Sequence, residues 1–195
     1  MEQYIEILGT AVGLIYLWQE YRASIYLWIT SIIMPAIYLY VYYQAGLYAD
    51  FGINIYYLVI ALYGWLAWRY NFSLRGKRKE SKELSISHIR QGVIIRLAIL
   101  FLAAWAIISY ILIHYTNSTV PFTDAFTTAL SIVGMYMLAR KYIEQWWVWL
   151  VVDITSCALY IYKELYFTAV LYALYAIIAI FGYRKWKQLM NNEKH

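Results

Sequence analysis

Seven long apolar runs separated by short polar breaks make up most of the chain. They predict helices near 4–18, 24–43, 51–69, 93–113, 123–139, 146–162 and 167–184. Each approaches the roughly 20 residues that carry an α-helix across a hydrocarbon layer. The first and sixth runs are the shortest, and they contain Glu6 and Asp153. The one long polar break runs from 70 to 92 and includes Arg75-Gly76-Lys77-Arg78-Lys79. Such a segment reads as a loop held at lipid headgroups, with a regulatory or partner-binding segment as the alternative. The expected fold is an all-α integral membrane protein with seven transmembrane helices.

Composition agrees with this. Of 195 residues, 64% are hydrophobic and 14% charged, against roughly 45–50% and about 25% in a soluble domain. Little is left over for a separate soluble domain. On the seven-span map, 15 of the 16 basic residues fall on one side, and only Lys163 falls on the other. Basic residues stay cytoplasmic, which places the N-terminus outside and the C-terminus inside a bacterial inner membrane. An even number of spans would break that agreement. The net charge of +5 is thus explained by topology, and nucleic acid is not expected as a partner. The start Met1-Glu2-Gln3 lacks a basic n-region, so the first span is expected to remain in the mature protein. Cys157 lies alone inside an apolar run and reads as a small buried hydrophobe.

An offset of 118 residues aligns the chain with itself. It pairs Thr10 with Thr128, Arg22 with Arg140, Trp28 with Trp146, Tyr57 with Tyr175, Gly64 with Gly182 and Trp68 with Trp186. Spans one to three therefore repeat as spans five to seven, and span four restores direction between them. The expected divisions are a first bundle (1–70), a cytoplasmic loop with a linker helix (71–118), a second bundle (119–187) and a cytoplasmic tail (188–195). A parallel repeat of this kind is a transporter plan, with the substrate site between bundles near mid-membrane.

The most informative segment is Glu144 to Asp153. Trp146, Trp149 and Asp153 stand at i, i+3 and i+7 and share one helical face. An acid in mid-span costs about 2.5–3.5 kcal/mol and so faces the interior, in a functional or a purely structural role. Two indoles beside a carboxylate suit a flat cationic ring. The position matching Asp153 in the first bundle is Pro35, which is a hinge or a tolerated bend. Asn54 and Tyr57 on span three, with Tyr172 and Tyr175 on span seven, are candidate walls of a central site, with interhelical packing as the alternative. Glu6 and Asp124 are weaker candidates. Both sit near helix starts, where a carboxylate complements the helix dipole, and Thr123 is a possible cap for the second. His88, His114 and His195 show no metal-ligand spacing. No nucleophile elbow, P-loop or HExxH occurs, so no cofactor and no enzymatic activity are expected.

Several of these segments resemble the PnuC family of bacterial vitamin transporters. They are Ile5-Glu6-Ile7-Leu8-Gly9-Thr10, Tyr63-Gly64-Trp65-Leu66-Ala67-Trp68, and the run from Leu130 through Arg140-Lys141-Tyr142-Ile143-Glu144 to Trp146 and Trp149. The resemblance implies a SWEET-like fold of three, one and three helices and a homotrimer. It also implies facilitated diffusion, with the vitamin trapped by a cytoplasmic kinase as metabolic partner. Family members carry nicotinamide riboside, thiamine or riboflavin. Nicotinamide riboside carriers typically show Asn at the place of Asp153, Gln near Asn54 and Asn near Ala61. The departures at these three positions favour thiamine, with nicotinamide riboside as the alternative; a non-transporting receptor or assembly subunit is the alternative of another class.

Overall fold

The computed structural model describes residues 2–44, 48–70 and 84–192. Among these the chain forms seven helices: α1 (Glu2–Tyr21), α2 (Leu27–Gln44), α3 (Tyr48–Tyr70), α4 (Gln91–Tyr115), α5 (Pro121–Ala139), α6 (Gln145–Tyr162) and α7 (Tyr166–Asn192). Six of the seven predicted spans lie within one of them; the second, 24–43, begins three residues ahead of α2, in the turn that ends at Tyr26. The last helix runs on to Asn192, so the expected tail begins inside it. The basic run 75–79 lies outside the described residues, as do His195 and the side chain of Glu6.

Among the described residues, four helices are long and apolar enough to cross a membrane by length and composition: α3 from Phe51, α4, α5 and α7. In α6 the apolar run is diluted by Gln145, three tryptophans and Asp153. The composition and the helices together make this an all-α membrane protein with several spans.

The chain divides into two units, Met1–Ser85 and Ile86–His195. Helix α4, expected as a linker, packs within the second unit. Its Leu97 is buried with Val133 and Met137 of α5, and Val93 and Phe101 close over them. Trp105 donates its indole N–H to the Phe122 carbonyl at 3.0 Å. The opposite side of α4 exposes Ile95, Ile99, Leu102 and Ile107, as suits a lipid-facing surface.

The helix boundaries recur at the offset of 118. Helices α1 and α5 end at Tyr21 and Ala139, α2 and α6 coincide at both ends, and α3 and α7 start at Tyr48 and Tyr166. The turns recur too. Arg22 N–H donates to Trp18 O and Arg140 N–H to Tyr136 O, each at 3.1 Å, while Ser24 N–H reaches Gln19 O and Tyr142 N–H reaches Met137 O. Both turns pass through a left-handed residue, Ala23 (φ 51°) and Lys141 (φ 50°). That conformation costs a residue with a Cβ about 1–2 kcal/mol, and it lets the following N–H groups reach back to the carbonyls left open at the helix end.

Among the described residues, one feature belongs to the second unit alone. Residues before α4 lie along the α5–α6 turn: Ser87 N–H donates to Lys141 O and Ile143 N–H to Ser87 O, both at 3.1 Å. Glu144 completes the strap by accepting from Ile89 N–H at 3.0 Å and meeting His88 Nδ1 at 2.7 Å. At the other end of α5, Pro121 sits in the first turn, where its missing N–H costs nothing. The residue before it, Val120, takes the cap position in place of Thr123, and its carbonyl accepts from the N–H groups of Thr123 and Asp124. The Asp124 carboxylate takes the Ser118 hydroxyl at 2.7 Å and Lys163 Nζ at 3.2 Å. Asp124 is therefore a structural anchor.

Candidate functional site

Helix α6 places the key residues because its inner face meets both α5 and α7. Toward α7, Trp146 is 1% exposed. Its ring fills the space left by Gly182, and it meets Trp186 edge-on at 5.7 Å between centroids and 88° between planes. The first unit builds the same lock from Trp28, Gly64 and Trp68, with 5.6 Å and 86°. All three pairs stand 118 residues apart. The ring expected to stack on a ligand is in this arrangement taken up by helix packing. Its indole N–H is buried without a hydrogen-bond partner.

Trp149, toward α5, lies over Gly134, where an added Cβ would stand 3.2 Å from the ring. Its indole N–H is buried with no hydrogen-bond partner. One turn further, Asp153 is 6% exposed. Tyr172 and Tyr175 of α7 lie close enough for its charge to act on both phenols. Tyr172 stacks on Tyr160 at 5.2 Å and meets Tyr175 edge-on at 5.7 Å. The second unit thus brings Trp149, Asp153, Tyr172 and Tyr175 together. A buried carboxylate among aromatic faces, with an open N–H donor one turn away, is equipped to hold a flat cation.

In the first unit, Asn54 and Tyr57 lie half-buried on α3. Tyr57 packs against Tyr56 at 5.6 Å and lies near Tyr16 of α1. Pro35 is buried within α2, which continues through it as one helix. Two features escaped the sequence reading. Glu20 is buried at the end of α1 and is hydrogen-bonded by Tyr16, which also meets Ser31 of α2; Gln19 accepts from the Thr30 hydroxyl at 3.2 Å beside it. The signal was in the repeat, because Tyr16 and Ser31 align with Gly134 and Trp149. The ring between the first two helices comes from α1 in one unit and from α6 in the other. The second feature is Gln145, fully buried at the start of α6. Among the described residues no group of three or more His, Cys, Asp or Glu is placed to hold a metal.

Comparison with known proteins bears on what this chemistry serves. A family model described as nicotinamide mononucleotide transporter matches residues 3–188. The nicotinamide riboside transporter PnuC of Escherichia coli is 23% identical over 94% of this chain and 84% of its own length. The riboflavin/roseoflavin transporter RibM of Streptomyces davaonensis is 26% identical over 93% of this chain and 83% of its own. A solved structure titled as the vitamin B3 transporter PnuC matches 94% of this chain and 80% of that one, with a TM-score of 0.66 and 22% identity. It supports the fold. The names of these relatives point to nicotinamide riboside and riboflavin, not to the thiamine that three substituted positions favoured.

Proposed function

The chain belongs to the nicotinamide mononucleotide transporter family, whose members are transporters and not enzymes, and from that premise we propose that it is a facilitative carrier of a cationic aromatic vitamin, nicotinamide riboside first among them. The observation that carries this reading is Asp153, a buried carboxylate one turn from the open N–H of Trp149 and beside two tyrosines. A pyridinium ring has the charge for the acid and the flat face for the aromatics. Neutral riboflavin does not call for the acid. Thiamine, also a cationic aromatic, is the second reading, favoured by Asp153, Asn54 and Ala61; the names of the relatives favour nicotinamide riboside over it.

In this reading all seven helices cross the bacterial inner membrane, with the N-terminus outside. The two bundles form a SWEET-like 3+1+3 parallel repeat, supported by the shared helix ends and turns at the offset of 118. The first unit contributes Asn54 and Tyr57, with Glu6 at the outer end and Pro35 as the hinge on which one bundle rocks. The chain works as a homotrimer and uses no cofactor. A cytoplasmic kinase traps the entered vitamin by phosphorylation and gives net uptake its direction.

Counterflow in proteoliposomes tests the proposal. Labelled nicotinamide riboside should accumulate transiently when vesicles are preloaded with the unlabelled compound. Thiamine-only counterflow would establish the second reading. Ligand binding without counterflow would mark a receptor or assembly subunit, and riboflavin-only counterflow would remove Asp153 from the argument.

A further inference from the structure

Gln145 begins α6 fully buried, and neither its amide nitrogen nor its amide oxygen has a hydrogen-bond partner. An unsatisfied buried polar group costs about 1–3 kcal/mol. The fold does not require that cost, because the equivalent position in the first unit is Leu27, which is just as completely buried. Leucine fills the same kind of place with no polar atom to satisfy. The amide is therefore retained at the expense of stability in one unit only, and that unit is the one carrying Asp153.

Position decides what the amide faces. Gln145, Trp149 and Asp153 stand at i, i+4 and i+8, successive turns of one helical face, each about 6 Å further along the axis. The face offers, in order, a carboxamide, an indole N–H and a carboxylate. The first two are buried and without protein partners. A ligand lying along this face with its positive charge at Asp153 and its ring at Trp149 turns its far end to Gln145. A carboxamide both donates and accepts, so its natural complement is a second carboxamide, joined by two antiparallel hydrogen bonds.

We propose that Gln145 is a specificity-determining residue that binds the neutral carboxamide of the transported ring and discriminates against a carboxylate in its place. A carboxylate cannot donate to the Gln145 oxygen and sets two acceptors against each other. The inference rests on the carrier reading above and adds to it the group that tells an amide-bearing ring from its acid.

The test uses purified full-length protein and two probes, nicotinamide riboside and nicotinic acid riboside, which differ only in amide against carboxylate. Binding is read by calorimetry and unfolding by a thermal scan without ligand. Wild type should prefer the amide. Gln145→Leu, which copies the first unit's residue, should lose about tenfold or more for the amide, as two lost hydrogen bonds imply. It should bring the two affinities together and unfold at an equal or higher temperature. If Gln145→Leu does not fold, Gln145→Met carries the same comparison. Unchanged amide affinity in the variant, with Asp153→Asn weakened in the same assay, overturns this inference and leaves the carrier reading standing. Failure of wild type to bind either compound overturns both.

Discussion

Trp146 and Gly182 share a space in which only one of them can have a side chain. A Cβ on Gly182 would stand 2.6 Å from three carbons of the Trp146 six-membered ring, and that ring is held at its edge by Trp186. Because Trp28 and Gly64 meet in the same way, the contact is a joint between the second and third helices of each bundle. Glycine is needed here for closeness of approach and not for backbone freedom, since both glycines are helical.

Gly182→Ala should therefore destabilise the protein. Over-filling a packed site costs about 1–3 kcal/mol, and a ring clamped on both sides cannot swing away. Gly64→Ala should do the same in the first unit. A thermal scan in detergent measures both, and an unchanged midpoint in either variant would show that the joint has slack.

Trp146 and Trp149 should separate in function although they lie three residues apart. Trp149→Ala should abolish ligand-induced quenching of tryptophan fluorescence. Trp146→Phe should lower thermal stability and leave ligand affinity alone. Loss of affinity in Trp146→Phe at full stability would return that ring to the site.

Asp153→Asn keeps the size of the side chain and removes its charge. A charge-assisted contact contributes about 1.5–3 kcal/mol, so affinity for a cationic ring should fall roughly tenfold to hundredfold. Riboflavin, which is uncharged, should be unaffected by the change. Isothermal titration of both compounds against both proteins provides the comparison.

The sequence carried much of this arrangement because hydrophobic length and the 118-residue offset are properties of the chain itself. The helix ends follow the apolar runs, and the second bundle's turn at Lys141 repeats the first at Ala23. The i, i+3, i+7 spacing places Trp146, Trp149 and Asp153 within two turns of α6, where Trp146 turns to Gly182 of α7 and Trp149 to Gly134 of α5. Helical spacing cannot tell which of two buried indoles has a spare surface. That depends on Gly134 and Gly182 in other helices. Nor does an apolar run reveal its neighbours, such as the packing of Leu97 of α4 on Val133 and Met137 of α5. Gln145 escaped because a glutamine beside Glu144 at a helix start looks like a solvated end.

Glu144 should hold the strap before α4, and its two roles can be separated. One carboxylate oxygen accepts from Ile89 N–H at 3.0 Å, while the other meets the His88 ring at 2.7 Å. The His88 side chain is largely exposed, so its contact with Glu144 contributes little, as partly solvated contacts do. The Ile89 contact differs, because it joins a backbone donor to a charged acceptor, and such bonds contribute about 1.5–3 kcal/mol. Glu144→Gln keeps an oxygen for Ile89 and should change the thermal midpoint little. Glu144→Ala leaves the N–H without its acceptor and should loosen residues 86–90, where Ser87 pairs with Lys141 and Ile143. Hydrogen exchange reads this directly: the amides of Ser87, Ile89 and Ile143 should lose protection together in Glu144→Ala and keep it in Glu144→Gln. Equal loss in both variants would mean that the contact with His88, and not the backbone bond, fastens the strap.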